Sequence, residues 1–222
     1  MSAGEEMKFL LDVPPARYRE RAPHFPNLVV GQLFTPLTRY SSVGVPFAID
    51  NGAFTKFDEK AFLSLLERES DRKQECLFVA VPDIVGSAIR TLEVFMGWSW
   101  RIEQWPLALV AQDGIEDQPI PWSMISAIFI GGSTQFKESI AAEQCVKAGL
   151  ALGKHVHIGR VNTVARFMKF QEMGAHTCDG SGVSRFDWML DAIARGDVAD
   201  GQKSIFEKDE FNDVEVESGA VS

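Results

Sequence analysis

Residues 107–132 read LALVAQDGIEDQPIPWSMISAIFIGG and contain two short apolar runs, each ending in polar or glycine residues. The first run is followed by Gln112 and Asp113, and the second by Gly131 and Gly132. Unbroken apolar runs of four or five residues are typical of strands buried on both faces. The pattern recurs along the chain and predicts eight strands, at residues 9–11, 28–30, 47–49, 77–81, 107–111, 127–130, 156–158 and 176–178.

Longer amphipathic segments separate these runs. Their apolar residues recur near the 3.6-residue period of an α-helix. Alternation of strands and helices implies parallel pairing with right-handed crossovers, so the predicted fold is an α/β protein, a compact (β/α)8 barrel. An open doubly wound sheet is the alternative, although neither a G-x-G-x-x-G loop nor a Walker sequence is present. The predicted helices span residues 60–69, 87–100, 135–152, 163–173 and 185–195.

The chain has 222 residues and a net charge of −9, much of it near the C-terminus. We expect one catalytic barrel domain at residues 1–196 and a flexible acidic tail at residues 197–222. No apolar run reaches membrane-spanning length and no signal peptide is apparent, so the prediction is a cytoplasmic protein without a membrane partner. Bulk attraction to nucleic acid is not expected from this charge, but a local basic patch is compatible with it; the candidates are Arg160, Arg166, Lys169 and Arg185.

The cysteine and histidine pattern argues against a metal site. The three cysteines show no C-x-x-C spacing, so neither a disulfide framework nor a cysteine zinc site is expected. His155 and His157 are predicted to face opposite sides of a strand and not to chelate together, while His157 and Cys178 could face one cavity. Histidines satisfied in the core or at the rim are the favoured interpretation, and we predict neither a metal nor a cofactor.

Polar and glycine residues follow most of the predicted strands. In a barrel these strand ends converge on one face, where active sites lie. Carboxylates, amides and exposed backbone gathered there suit a flat, polar heterocycle, and two carboxylates can divide the roles of nucleophile and general acid/base. The competing interpretation is that aspartates and glycines at these positions only form turns and helix caps.

Five segments in the same order resemble the tRNA-guanine transglycosylases and their DNA-modifying paralogues. Residues 49–54, IDNGAF, are similar to that family's D-S-G-G-F segment, and VPD at 81–83 to its next strand end. LVAQDG at 109–114 resembles I-V-Q-G-G, and FIGGS at 129–133 resembles A-I-G-G-L. CDGSGVSR at 178–185 resembles F-D-x-V-x-P-T-R, whose aspartate is the nucleophile.

The resemblance implies base exchange by double displacement. It makes Asp179 the catalytic nucleophile and Asp50 the general acid/base. The expected substrate is guanine in a nucleic acid, replaced by a free 7-deazaguanine in queuosine-related chemistry, with no cofactor. DNA is preferred over tRNA because the C-x-C-x-x-C…H zinc insert of the tRNA enzymes is absent, and the reduced DNA-directed relatives are often encoded by phages or genomic islands. The expected substrate-binding residues are Asn51, Gly52, Asp83, Gln112, Gly131, Gly132, Arg160 and Arg185.

Three other functions stay open at this point: tRNA-directed exchange, a small-molecule barrel lyase or hydrolase, and a non-catalytic nucleobase-binding barrel. The lyase or hydrolase would use the same carboxylates without depending on nucleic acid. Retention of both Asp50 and Asp179 argues against the non-catalytic barrel. A homodimer is compatible with the sequence.

Overall fold

The structure, a computed structural model that describes residues 6–196, is a (β/α)8 barrel. Eight parallel strands pair in chain order, and the last pairs with the first to close the barrel. The eight predicted strands are all confirmed. They are β1 (Lys8–Leu11), β2 (Val29–Phe34), β3 (Phe47–Ile49), β4 (Cys76–Ala80), β5 (Leu107–Ala111), β6 (Ala127–Ile130), β7 (His155–Ile158) and β8 (Thr177–Cys178).

Within residues 6–196, eight α-helices accompany the strands, and side-chain caps start four of these helices. Asp58, Ser133, Ser139 and Thr163 each accept a hydrogen bond from a backbone N–H in the first helical turn that follows. The helices are α1 (Pro15–Arg21), α2 (Glu59–Arg68), α3 (Ala88–Ser99), α4 (Thr134–Glu138), α5 (Ile140–Ala151), α6 (Val164–Glu172), α7 (Ser181–Arg185) and α8 (Asp187–Arg195).

The helix predictions need three corrections. The segment 135–152 is not one helix, because Ser139 is extended (φ −82°, ψ 161°) and separates α4 from α5. The helix predicted at 185–195 begins at Asp187, since Phe186 is extended and divides it from α7. Helices α1 and α7 were not predicted; they are short, and proline or glycine lies at or near their starts.

Apolar residues form two layers, one inside the barrel and one between the barrel and its helices. The outer layer joins strand residues such as Phe47 and Ile128 to helix residues such as Phe62 and Phe167. The inner layer is smaller than the outer one. Its side chains fill the interior, so the barrel has a packed core and not an open channel. Its buried members are Leu10, Leu33, Ala48, Phe78, Ala80, Ala108, Val110, Ala127 and Phe129.

The acidic tail expected at residues 197–222 lies outside the described residues. The longest helices of residues 6–196, α3 and α5, have twelve residues each, and none in this range is long and apolar enough to cross a membrane.

Candidate active site

A cavity of about 450 Å³ opens at the C-terminal end of the barrel strands. It lies directly above the inner apolar layer, which contributes Leu10, Ala80 and Phe129 to its wall. The strand ends therefore meet at one mouth, as the predicted fold requires. All ten residues predicted for the site line this cavity: Asp50, Asn51, Gly52, Asp83, Gln112, Gly131, Gly132, Arg160, Asp179 and Arg185.

Asp179 follows β8, and two hydrogen-bond contacts hold its carboxyl group. Its Oδ2 lies 3.0 Å from Nε2 of His157, and its Oδ1 accepts a 3.1 Å hydrogen bond from the backbone N–H of Arg160. The side chain is 13% exposed, so it reaches the cavity while most of its surface is covered. A carboxylate fixed in this way has a defined orientation and remains accessible to a substrate atom.

Arg160 adopts a backbone conformation that is unusual for a residue with a side chain. Its φ of 56° makes it the one non-glycine residue with positive φ among residues 6–196. In this conformation its backbone N–H reaches Asp179, while its guanidinium hydrogen-bonds the Gly132 carbonyl and lies 4.2 Å above the Phe54 ring. Arg160 thus connects the loops that follow β3, β6 and β8.

Asp50 follows β3 and differs from Asp179 in its surroundings. Burial raises the pKa of Asp50 to about 7, although a 2.7 Å hydrogen bond from the Gly52 N–H acts in the opposite direction. Part of this rise in the pKa comes from the negative charges of Asp179, Asp83 and Asp12. Near neutral pH this carboxyl group populates both its acid and its base form, which suits a group that gives and takes protons.

A buried hydrogen-bond network holds Asp83 between two amide side chains. Asn51 Nδ2 donates to Asp83 Oδ1 at 2.8 Å, and Gln112 Nε2 donates to Oδ2 at 2.6 Å. Burial raises the pKa of Asp83, and these two hydrogen bonds lower it. The opposite ends of the amides are also satisfied, since Ala53 N–H donates to Asn51 Oδ1 and Gly86 N–H donates to Gln112 Oε1. The network presents a preformed polar wall.

Gly131 and Gly132 follow β6, at points where a side chain does not fit. A Cβ on Gly131 would lie 2.6 Å from Cγ1 of Val110, and one on Gly132 would lie 2.6 Å from the Phe136 ring. Gly132 also has a φ of 69°, which disfavours other residues. Two backbone polar groups of these glycines are already hydrogen-bonded. The Gly131 N–H donates to the Ala111 carbonyl, and the Gly132 carbonyl accepts a hydrogen bond from Lys137.

The predicted basic patch is only partly at the cavity. Arg160 and Arg185 line the mouth, and Arg185 is exposed. Arg166 instead donates a hydrogen bond to the Arg160 carbonyl, and its guanidinium lies 3.5 Å from the Glu138 carboxylate. Lys169 forms a 3.2 Å ion pair with Glu143. The cationic groups directly at the site are therefore fewer than the sequence suggested.

The structure adds Asp12, Phe54 and His157 to the site. Asp12 follows β1, lines the cavity and accepts a 2.7 Å hydrogen bond from Tyr40. An aspartate directly after a strand was the signal used for the other positions, so Asp12 could have been found. Phe54 ends the IDNGAF segment and matches the phenylalanine of D-S-G-G-F, but it was not predicted as a site residue. The contact between His157 and Asp179 depends on the pairing of β7 with β8.

Two predictions about the histidines are wrong. His155 and His157 lie on the same face of β7, because side chains two residues apart in a strand point the same way, and both contact the Thr177 hydroxyl. His157 and Cys178 do not share a cavity, since Cys178 belongs to the outer apolar layer. Within residues 6–196 no group of three or more histidine, cysteine, aspartate or glutamate side chains is arranged to hold a metal ion.

Comparison with known proteins assigns no family and no activity to this chain. No family model and no curated protein matches this chain. One similar solved structure is the PaMucR phosphodiesterase in complex with c-di-GMP, with 14% sequence identity and a TM-score of 0.40. The match covers 63% of this chain and 61% of that one, so this chain spans less than two thirds of its length, and the likeness carries no argument about activity. The fold and the site define the protein as a (β/α)8 barrel with a carboxylate-lined cavity at the C-terminal mouth.

Proposed function

We propose that this barrel is a guanine transglycosylase that exchanges guanine in a nucleic acid, preferably DNA, for a 7-deazaguanine base. The observation that carries the proposal is that Asp179 and Asp50 line one cavity in different environments. Two carboxyl groups in different environments are suited to divide the roles of nucleophile and acid/base. The resemblance of five ordered segments to the transglycosylases supports the same assignment.

In the first half-reaction, an Asp179 oxygen attacks C1′ of the guanosine nucleotide. The C1′–O bond forms as the C1′–N9 bond breaks, and guanine leaves with that electron pair and a proton supplied by Asp50. In the second, the incoming base loses its N9 proton to the Asp50 carboxylate and attacks C1′, and Asp179 departs with the electrons of the ester bond. Attack from alternate faces retains the configuration at C1′.

The polar wall of Asp83 and Gln112 supports recognition of the base. Each Asp83 oxygen uses one amide donor, and further lone pairs stay available for the donors of a guanine edge. Gln112 Nε2 likewise has a second proton after donating to Asp83. Because guanine and 7-deazaguanine share their pyrimidine-ring edge, one wall can hold the leaving and the entering base.

The cavity requires the target nucleotide to leave its base stack, as enzymes acting on a base in a duplex require. Arg160 and Arg185 at the mouth are the groups we assign to the neighbouring phosphates. Because few cations lie at the site, binding is expected to be weak, with a salt dependence that reflects only a few phosphate contacts.

The test measures incorporation of radiolabelled guanine and of a 7-deazaguanine into DNA and into tRNA at low ionic strength. The expected result is incorporation that depends on the protein and is greater in DNA. Mass spectrometry of nucleosides from cells with and without the gene identifies the inserted base and the polymer. Absence of exchange on both polymers, together with turnover of a free nucleotide or sugar, would replace this proposal with a small-molecule activity.

A further inference from the structure

A chain of hydrogen-bonded side chains runs through the inside of the barrel to Asp179. His155 Nε2 lies 2.7 Å from the Thr177 hydroxyl, and the same hydroxyl lies 2.9 Å from His157 Nδ1. His157 Nε2 then lies 3.0 Å from Asp179 Oδ2. The chain arises from two strands. His155 and His157 lie two residues apart on one face of β7, and Thr177 and Asp179 lie two residues apart on the same face of the neighbouring β8 segment.

The chain is enclosed by protein. His157 is fully buried, and its ring lies 4.6 Å from the Phe129 ring and 4.8 Å from the Phe78 ring, measured between centroids. Thr177 is also buried. Polar groups placed among aromatic rings are costly unless they are paired, so a buried histidine–threonine pair inside an apolar layer needs its hydrogen bonds. The Asp179 carboxylate is the partner at the end nearest the cavity.

The direction of the hydrogen-bond chain is linked to the tautomer of His157. Thr177 has one hydroxyl proton and can donate it to one ring only. If His155 donates to Thr177, then Thr177 donates to His157 Nδ1, and the proton of a neutral His157 ring lies on Nε2, facing Asp179. In the reverse direction His157 Nδ1 donates to Thr177, and a hydrogen bond donated to Asp179 would then need a second proton on the same ring.

His155 is suited to the neutral state that this arrangement needs. Burial, with smaller contributions from the neighbouring His157 and His176, lowers its pKa to about 3. A neutral ring donates from one nitrogen, which fits a single hydrogen bond from Nε2 to Thr177.

We propose that His157 is a positioning residue for Asp179, and that Thr177 and His155 hold the His157 ring in the form that donates to this carboxylate. The geometric claim stands by itself, whereas its consequence for base exchange rests on the proposed function. A donor on Oδ2 and the Arg160 N–H on Oδ1 together fix the carboxylate plane. The same donors stabilise the charge that returns to Asp179 when the glycosyl ester breaks.

The first test is nitrogen-15 NMR of the imidazole rings at neutral pH, which assigns each ring proton to Nδ1 or Nε2. In the wild type we expect His157 to carry its proton on Nε2. Thr177→Val, which is nearly isosteric, removes the hydroxyl and should shift the His157 Nδ1 resonance, and Thr177→Ser should return it. A His157 proton on Nδ1, protons on both nitrogens, or His157 resonances unchanged by Thr177→Val would each overturn the proposal.

The second test separates rate from binding. His157→Leu should lower the kcat of base exchange about 10- to 100-fold, the range for losing a hydrogen bond to a charged group, and leave the KM for the free base unchanged. His157→Gln keeps an N–H donor and should recover part of that loss. Equal rates for the two variants, or a change in KM alone, would contradict positioning. A wild type without exchange would refute the proposed function, and the NMR result would still decide the geometry.

Discussion

The guanidinium of Arg160 lies 4.2 Å above the centre of the Phe54 ring, at the mouth of the cavity. Phe54 is 59% exposed and follows β3, whereas Arg160 follows β7, so the contact spans the opening. A cation over an aromatic face is stabilising, and here it joins two loops that belong to distant parts of the chain. The same arginine holds Asp179 through its backbone, so its side chain and its main chain have separable effects.

Replacement of Arg160 should weaken nucleic acid binding by the loss of one cation. For Arg160→Ala we expect the slope of the logarithm of affinity against the logarithm of salt concentration to fall by about 1 in magnitude. Arg90→Ala, which removes an exposed arginine on α3, is the matched control and should leave the slope unchanged. Fluorescence anisotropy with labelled DNA measures both, and equal slopes for the two variants would contradict the assignment of Arg160.

Comparing alanine with glycine at residue 160 isolates the backbone effect. Both variants remove the guanidinium, but only alanine retains a Cβ at a φ of 56°. Arg160→Gly should therefore be about 1 kcal/mol more stable to unfolding than Arg160→Ala. Urea denaturation measures the difference in the free energy of unfolding between the two variants. An alanine variant as stable as the glycine variant would mean that the loop relaxes to another conformation, and would contradict this prediction.

Stability should depend on pH through Asp50. Its pKa is raised from 3.8 in the unfolded chain to about 7 in the folded protein, so the folded state binds the proton more tightly. This contribution is fully present below about pH 4 and is lost as the pH rises to about 7. The loss is up to about 4 kcal/mol, because each pH unit between the two pKa values contributes about 1.4 kcal/mol.

Asp50→Asn should remove this dependence. The variant should gain stability relative to the wild type as the pH rises from about 4 to about 8, because its amide does not ionise. Asp71→Asn, at an exposed position, is the control and should follow the wild-type profile. Chemical denaturation at a series of pH values measures the free energies of unfolding, and parallel profiles for Asp50→Asn and the wild type would show that burial does not shift this carboxyl group.

Gly132 should be less replaceable than a surface glycine with the same backbone conformation. Gly132 and Gly153 have φ values of 69° and 64°, but a Cβ on Gly153 meets nothing within 4 Å. Gly153→Ala should cost about 1 kcal/mol of stability from conformation alone. Gly132→Ala should cost about 1–3 kcal/mol more, since the Phe136 ring and the Asp113 carboxylate must shift. Similar thermal midpoints for the two variants would contradict this account.

The strands and the position of the site could be predicted from the sequence because both depend on which residues are adjacent along the chain. A run such as residues 127–130 is buried on every side, and this leaves a continuous apolar signal. In a parallel barrel, every residue that follows a strand lies at the same end, so Asp50, Asp83 and Gln112 could be grouped without knowing any distance.

The remaining features depend on contacts that the sequence does not display. The break at Ser139 interrupts a helical pattern whose apolar periodicity continues on both sides, and its only signal is the capping preference of serine. The chain from His155 to Asp179 needs the register of β7 against β8, which pairs His157 with Thr177. The positive φ of Arg160 had no signal, because arginine rarely adopts that conformation.

The central claim is that the Asp179 carboxylate forms a covalent bond to the sugar. Asp179→Asn keeps the size of the side chain but removes the anionic nucleophile, so exchange should fall by about 10⁴-fold or more while the thermal midpoint stays near that of the wild type. Asp117→Asn, at an exposed position after β5, is the matched control and should exchange normally.

The most direct measurement is the intact mass of the protein after incubation with a guanine-containing oligonucleotide and denaturation. We predict a wild-type species that is heavier by the oligonucleotide less its guanine, with the added mass on residue 179, and no such species for Asp179→Asn. An adduct of the same mass on the Asp179→Asn protein, or exchange by that variant at the wild-type rate, would contradict this claim.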